Sequence, residues 1–183
     1  IMTIAEHAAR VLVIRTDKVG DMLLSMPAIK AVRASLPGAH LTVLASAYNE
    51  PAVRGWNVPD MVEIYDPAWP MRKRLTAAMA LRRQRFDLCL VLHPDLEAYG
   101  VARLTGAAVR AGLVHARRVL DRLCAPAWLT HRSICRVDRA ASRGLKVPHE
   151  IDLTRSVLEL AGLKWGDGEL DVGVSVDASR WAD

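Results

Sequence analysis

Along this chain, short unbroken apolar runs alternate with stretches whose apolar residues recur every three or four positions. The run Arg10-Val-Leu-Val-Ile-Arg15 predicts a strand over 10–15, continuous in its hydrophobicity as strands buried on both faces are. Met22, Met26, Ile29, Val32 and Leu36 then line one face of a helix over about 21–36, which Pro37-Gly38 stops. Pro27 lacks an N–H and crowds the carbonyl four residues back. The expectation is therefore a first turn over 21–25 and a main helix that starts or kinks near Pro27. Further strands are expected over 41–45, 61–65 and 88–92, with another over 108–113. Helices are expected over 72–85, 96–104 and 151–160, with Gly106 and Gly162 as stops. Residues 115–147 are rich in arginine, interrupted by Pro126, and give no clear element. From Trp165 onward, glycine and acidic residues read as a linker or tail.

Strands that alternate with helices imply an α/β fold, a parallel sheet covered on both faces. Right-handed crossovers give a doubly wound order with the first strand near the middle. At 183 residues, 51% hydrophobic and 25% charged, the chain has the size and composition of one folded domain and not of a disordered one. No apolar run reaches membrane-spanning length. The start, Ile-Met-Thr-Ile-Ala-Glu-His, lacks the form of a signal peptide, and the expected compartment is the cytosol. Cys89, Cys124 and Cys135 are odd in number and lack C-x-x-C spacing, so neither a zinc site nor a disulfide framework follows. Cys89, inside an apolar run, reads as a small core residue. The net charge of +5 fits an anionic substrate, a membrane face or nucleic acid and does not choose among them.

The most informative segment is the polar loop after the first strand, Thr16-Asp17-Lys18-Val19-Gly20-Asp21. It lies where open α/β sheets build their sites, at the carboxyl end of a strand. It also puts the Asp21 carboxylate at a helix amino terminus, where partial positive charge and free N–H groups favour the ionised form. The pattern Thr-x-x-x-Gly-Asp followed by Leu-x-x-x-Pro-Ala-Ile resembles the amino-terminal signature of glycosyltransferase family 9, the lipopolysaccharide heptosyltransferases and their relatives. Phe86-Asp87-Leu-Cys-Leu-Val-Leu-His93-Pro94-Asp95 resembles the family's later strand and polar loop. Val147-Pro-His149-Glu150 with the helix running to Ala161-Gly162-Leu163 resembles the helix that closes its first domain.

The resemblance implies a Rossmann-like domain, the N-terminal half of a GT-B glycosyltransferase. Residues 1–163 would form the acceptor-binding domain and 164–183 the start of an inter-domain linker, with the C-terminal nucleotide-sugar domain absent. Half a cleft should not turn over substrate by itself. The implied reaction moves a heptose-like sugar from a nucleotide diphosphate of the ADP-heptose type to an anionic glycolipid, the lipopolysaccharide inner core, with inversion. Asp21 inherits the role of general base by position; its plain alternative is a helix cap. No cofactor is implied beyond the nucleotide-sugar co-substrate. No D-x-D motif is present, so metal independence is expected.

Around Asp21, Gly20 is expected to take positive φ or let a ligand approach the backbone, against a plain turn role. Thr16 and Lys18 are candidates for the acceptor or a phosphate, with Lys18 as a solvated loop lysine the alternative. Asp17 reads as a turn residue. His93 and Asp95 arrive at the same sheet edge, where Asp95 also suits a helix cap. Two basic stretches stand out. Arg72–Arg85 reads as a solvated helix face. Arg110 to Arg143, including Arg117 and Arg118, suits the phosphates and carboxylates of such an acceptor, or a peripheral contact with the inner face of an anionic membrane. Alternatives are a same-family transferase with another donor or acceptor, or a non-catalytic Rossmann-like module for anionic ligands. A dinucleotide site is disfavoured because one glycine stands where G-x-G-x-x-G needs three. Nucleic-acid binding is disfavoured by one Phe and three Tyr in the chain.

Overall fold

The structure, a computed structural model, describes residues 7–116, 118–135 and 148–166. Six parallel strands form one sheet in the order β3-β2-β1-β4-β5-β6: β1 (Arg10–Ile14), β2 (His40–Ala45), β3 (Met61–Ile64), β4 (Leu88–Val91), β5 (Val109–His115) and β6 (His131–Cys135). This is the doubly wound order, and the reversal between β1 and β4 opens a crevice at their carboxyl ends. In register, Ile14 stands beside Leu44 on one side and Val91 on the other.

Strand alternation divides the core in two. Val11 and Val13 point to a layer made by α1 (Val19–Ser35) and α5 (Glu150–Leu160). Leu12 and Ile14 point to the opposite layer, made by α2 (Met71–Arg83), α3 (Leu96–Thr105) and α4 (Val119–Trp128). Both faces of the central strands β1, β2 and β4 are thus closed off from water, as their unbroken apolar runs require.

The helix α1 is one element from Val19 to Ser35 with Pro27 inside it, so it does not start anew at the proline. Met26, Pro27, Ala28 and Ile29 are all buried, and their packing outweighs the hydrogen bond the proline removes. Met22, Met26, Ile29, Val32 and Leu36 are buried as the period predicts. Pro126 likewise lies inside α4. Helix α2 ends two residues earlier than expected, and Arg85 takes a φ of 55° just beyond it, where glycine is usual. Gly106 and Gly162 stop α3 and α5 with φ of 76° and 77°. Helix α5 starts in a capping box: His149 accepts from Ile151 N–H while Asp152 accepts from His149 N–H. Cys89 is fully buried, and burial pushes its thiol up to about 12, as suits a core residue. No helix among the described residues is long and apolar enough to cross a membrane.

Candidate functional site

The site forms at the carboxyl edge of β1, β4 and β5. Its centre is Arg15, the residue that ends the β1 run, whose side chain is only 1% exposed. Its backbone N–H donates to Leu44 O, which carries the β1–β2 pairing one residue past the strand. Nη1 donates to Leu92 O and to Glu150 Oε1, each at 2.7 Å. Nε lies 2.7 Å from Asp17 Oδ1, off the line of N–H donation, so that contact is a charge pairing and not an aligned hydrogen bond. Nη2 is 3.7 Å from Asp21 Oδ2. A buried guanidinium is tolerable only with such compensation.

Asn49 fixes the loop. It is fully buried, its Nδ2 donates to Arg15 O at 3.0 Å and Asp17 O at 3.3 Å, and its Oδ1 accepts from Ser46 N–H at 2.8 Å. The β1–α1 loop is therefore stapled to the end of β2. Asp21 then falls in the first turn of α1, one-third exposed, beside Arg15. It is not the cap: Lys18 holds that position and makes no side-chain capping bond. Among the described residues, the cap position of α1 thus supplies no side-chain acceptor to the first-turn N–H groups.

Beside this turn lies a cleft of about 520 Å³ whose wall includes Thr16, Asp17, Lys18, His93, Asp95 and Arg118. Thr16 Oγ1 is 3.5 Å from His93 Nε2. His93 is 8% exposed, and its Nδ1 is buried with no hydrogen-bond partner among the described residues. Burial first, then the Arg15 charge, push this imidazole down to about 4, so it is a neutral hydrogen-bonding group at neutral pH. Burial also raises Asp17 against the pull of Arg15, and the Asp21 charge adds to the rise.

Of the residues expected at the site, Thr16, Lys18, His93, Asp95 and Arg118 share the cleft, while Gly20 and Asp21 stand next to it on α1. Arg117 lies outside the described residues, as do Arg136, Arg139 and Arg143. Asp95 caps α3, accepting from Glu97 and Ala98 N–H at 3.0 and 3.2 Å, while still facing the cleft. Gly20 does not take positive φ; it is an ordinary helical residue, and a Cβ there would meet nothing within 4 Å. Arg110 is removed from the acceptor group: at the amino end of β5 it donates to Trp128 O at 2.6 Å and to Ala107 O, and so serves the fold. The sequence pattern does not mark Arg15, Asn49 or Glu150 as site residues. The one signal for Arg15 was a charge closing an otherwise apolar strand.

No protein-family model matches the chain, and no curated protein sequence matches it. Solved structures do. The glycosyl transferase family 9 protein from Veillonella parvula DSM 2008 superposes with a TM-score of 0.71 at 20% identity, over 95% of this chain and 48% of that one. The E. coli heptosyltransferase WaaC with ADP gives 0.66 at 18% identity, over 90% and 51%. The E. coli ADP-heptose lps heptosyltransferase II gives 0.62 at 20% identity, over 94% and 49%. The fold is that of one half of these glycosyltransferases. The chain spans about half the length of each solved structure it matches.

Proposed function

We propose that this chain is the acceptor half of an inverting glycosyltransferase of the family 9 type. In this reading a second domain supplies an ADP-heptose-type donor, and the acceptor is the anionic inner core of lipopolysaccharide at the cytoplasmic face of the inner membrane. The acceptor hydroxyl attacks the anomeric carbon, the bond from that carbon to the diphosphate oxygen breaks, and the hydroxyl proton passes to an Asp21 carboxylate oxygen. One displacement inverts the centre, as in inverting glycoside hydrolysis with a sugar alcohol in place of water.

The observation that carries the reading is the Asp21 carboxylate, one-third exposed in the first turn of α1, 3.7 Å from the buried Arg15 guanidinium and beside a polar cleft. Neutral His93 and Thr16 offer hydrogen bonds to sugar hydroxyls, and Lys18 and Arg118 offer charge to acceptor phosphates or carboxylates. With no D-x-D in the sequence, transfer is proposed to need no divalent metal or resident cofactor.

The test is turnover by a polypeptide that joins this chain to a donor-binding domain. Asp21→Asn should lower kcat by about 10²–10⁴-fold with acceptor affinity retained, and a chelator should leave the parent rate unchanged. The 183-residue chain should bind the acceptor without transfer. An Asp21→Asn enzyme turning over like its parent would remove Asp21 from the mechanism.

A further inference from the structure

The wall of the cleft holds three carboxylates, Asp17, Asp95 and Glu97, and the protein itself engages two of them. Asp95 accepts from the Glu97 and Ala98 N–H groups that open α3. Glu97 accepts from Arg74 at 2.6 Å and from Tyr65 at 2.7 Å. Asp17 differs. Its Oδ1 is buried with no aligned donor among the described residues, while the side chain as a whole is 29% exposed. The loop does not depend on that side chain: Asn49 Nδ2 donates to the backbone O of Asp17, a bond that any residue at this position would keep. Burial outweighs the attraction of Arg15, so the fold gains nothing from the charge. A carboxylate kept against the interest of folding, in the wall of a cleft, is a mark of ligand binding.

The Arg15 guanidinium sets where this carboxylate stands. Its Nη1 is taken up by Leu92 O and Glu150, which leaves the edge formed by Nε and Nη2. Asp17 Oδ1 lies 2.7 Å from Nε and Asp21 Oδ2 lies 3.7 Å from Nη2, so one planar fork holds the two acids side by side. Carboxylates placed on one edge of a guanidinium can meet neighbouring hydroxyls of a single sugar ring. His93 is a separate sign of a polar ligand in the same cleft: it is 8% exposed, and its Nδ1 has no hydrogen-bond partner among the described residues. A cationic ligand group fits less well, because Lys18 and Arg118 share this wall.

We propose that Asp17 determines acceptor specificity: its carboxylate accepts a hydrogen bond from the hydroxyl next to the one that attacks, so that Asp17 and Asp21 together read a vicinal diol. This rests on the reading that places the acceptor beside Asp21. The second hydroxyl donates to Asp17 and keeps its proton, in a short, charge-assisted O–H···O⁻ bond. An acceptor without that hydroxyl leaves a partly buried carboxylate with no donor, and the site rejects it.

The experiment is calorimetry of the 183-residue chain with the inner-core oligosaccharide freed of its acyl chains, and with a synthetic analogue lacking the hydroxyl next to the attacked one. The parent should bind the analogue at least about tenfold more weakly. Asp17→Ala, with circular dichroism unchanged, should bind the full oligosaccharide about as weakly, and the analogue no worse than the parent does, because both changes delete one hydrogen bond. Asp17→Asn, which keeps an acceptor oxygen without the charge, should fall between. In the polypeptide joined to a donor-binding domain, Asp17→Ala should raise KM and leave kcat unchanged, the reverse of Asp21→Asn. Equal affinity of the parent for both compounds, an Asp17→Ala chain that binds like its parent, or losses that add when both changes are made would overturn the proposal. A parent that binds neither compound would remove the acceptor reading and this inference together. An Asp21→Asn enzyme with full turnover would unseat the base alone, since the binding cycle does not involve its proton.

Discussion

Arg15 Nη1 donates to Glu150 Oε1 at 2.7 Å, tying the end of the first strand to the first residue of α5 across 135 positions of sequence. The same nitrogen bonds to Leu92 O, so a single buried cation links β1, the end of β4 and α5. Removing Glu150 takes away one of the groups that compensate the buried Arg15 charge, and weakened compensation of a buried ion costs stability. Glu150→Ala should therefore lower the unfolding free energy by about 2 kcal/mol, and Glu150→Gln, which keeps an acceptor oxygen, by less than half as much. Urea denaturation at neutral pH measures both. Equal losses would show that acceptance of the Nη1 proton is not what matters.

Asp17 should behave oppositely, although it too touches Arg15. Its folded pKa is raised, burial outweighing the guanidinium. A group raised in the fold adds stability at low pH that is lost as pH rises through its folded value. At pH 7 the ionised Asp17 is a net cost. Asp17→Asn should leave stability unchanged or raise it by up to about 1 kcal/mol, and should flatten the acid side of the stability profile. A marked loss in the same urea experiment would mean that the 2.7 Å pairing outweighs desolvation.

His93 sets a separate pH window. Its imidazole is held down to about 4 in the fold, against an ordinary value of 6.5. Between those values the unfolded chain binds a proton that the folded one refuses, so stability falls as pH drops from about 6.5 to about 4. A shift of this size corresponds to about 3 kcal/mol across the window. His93→Gln should remove most of that slope. Nitrogen chemical shifts of the ring followed by NMR give the direct check, and a midpoint near 6.5 would refute the burial argument.

The elements that could be read from the chain were those whose apolar pattern faces the core. Val11–Ile14 and the stripe from Met22 to Leu36 announce β1 and α1 because every apolar position there is buried. The pair α4 and β6 was illegible for a physical reason. Val119, Leu120 and Leu123 point outward, so the usual link between hydrophobicity and burial is inverted. Strand β6 reads His-Arg-Ser-Ile-Cys and pairs on one side only, at the sheet edge, which leaves Arg132, Ser133 and Ile134 exposed. At the site, the loop from Thr16 to Asp21 could be found from local spacing. Its counter-charge could not, because the environment of Arg15 is built by Asn49, Leu92 and Glu150 from three distant segments.

Gly20 offers a test that separates stability from binding. It is an exposed helical residue in the first turn of α1, its φ is not positive, and a Cβ would meet nothing within 4 Å. Folding therefore gives no reason for glycine here. Alanine has the higher helix propensity and loses less backbone entropy, so Gly20→Ala should raise stability by up to about 1 kcal/mol. The space a methyl would fill lies beside Asp21, where the proposed acceptor hydroxyl must approach the carboxylate. The same variant should then bind the acceptor several-fold more weakly, read by calorimetry on the 183-residue chain. Higher stability with unchanged affinity would place the acceptor away from the first turn of α1, and with it away from Asp21.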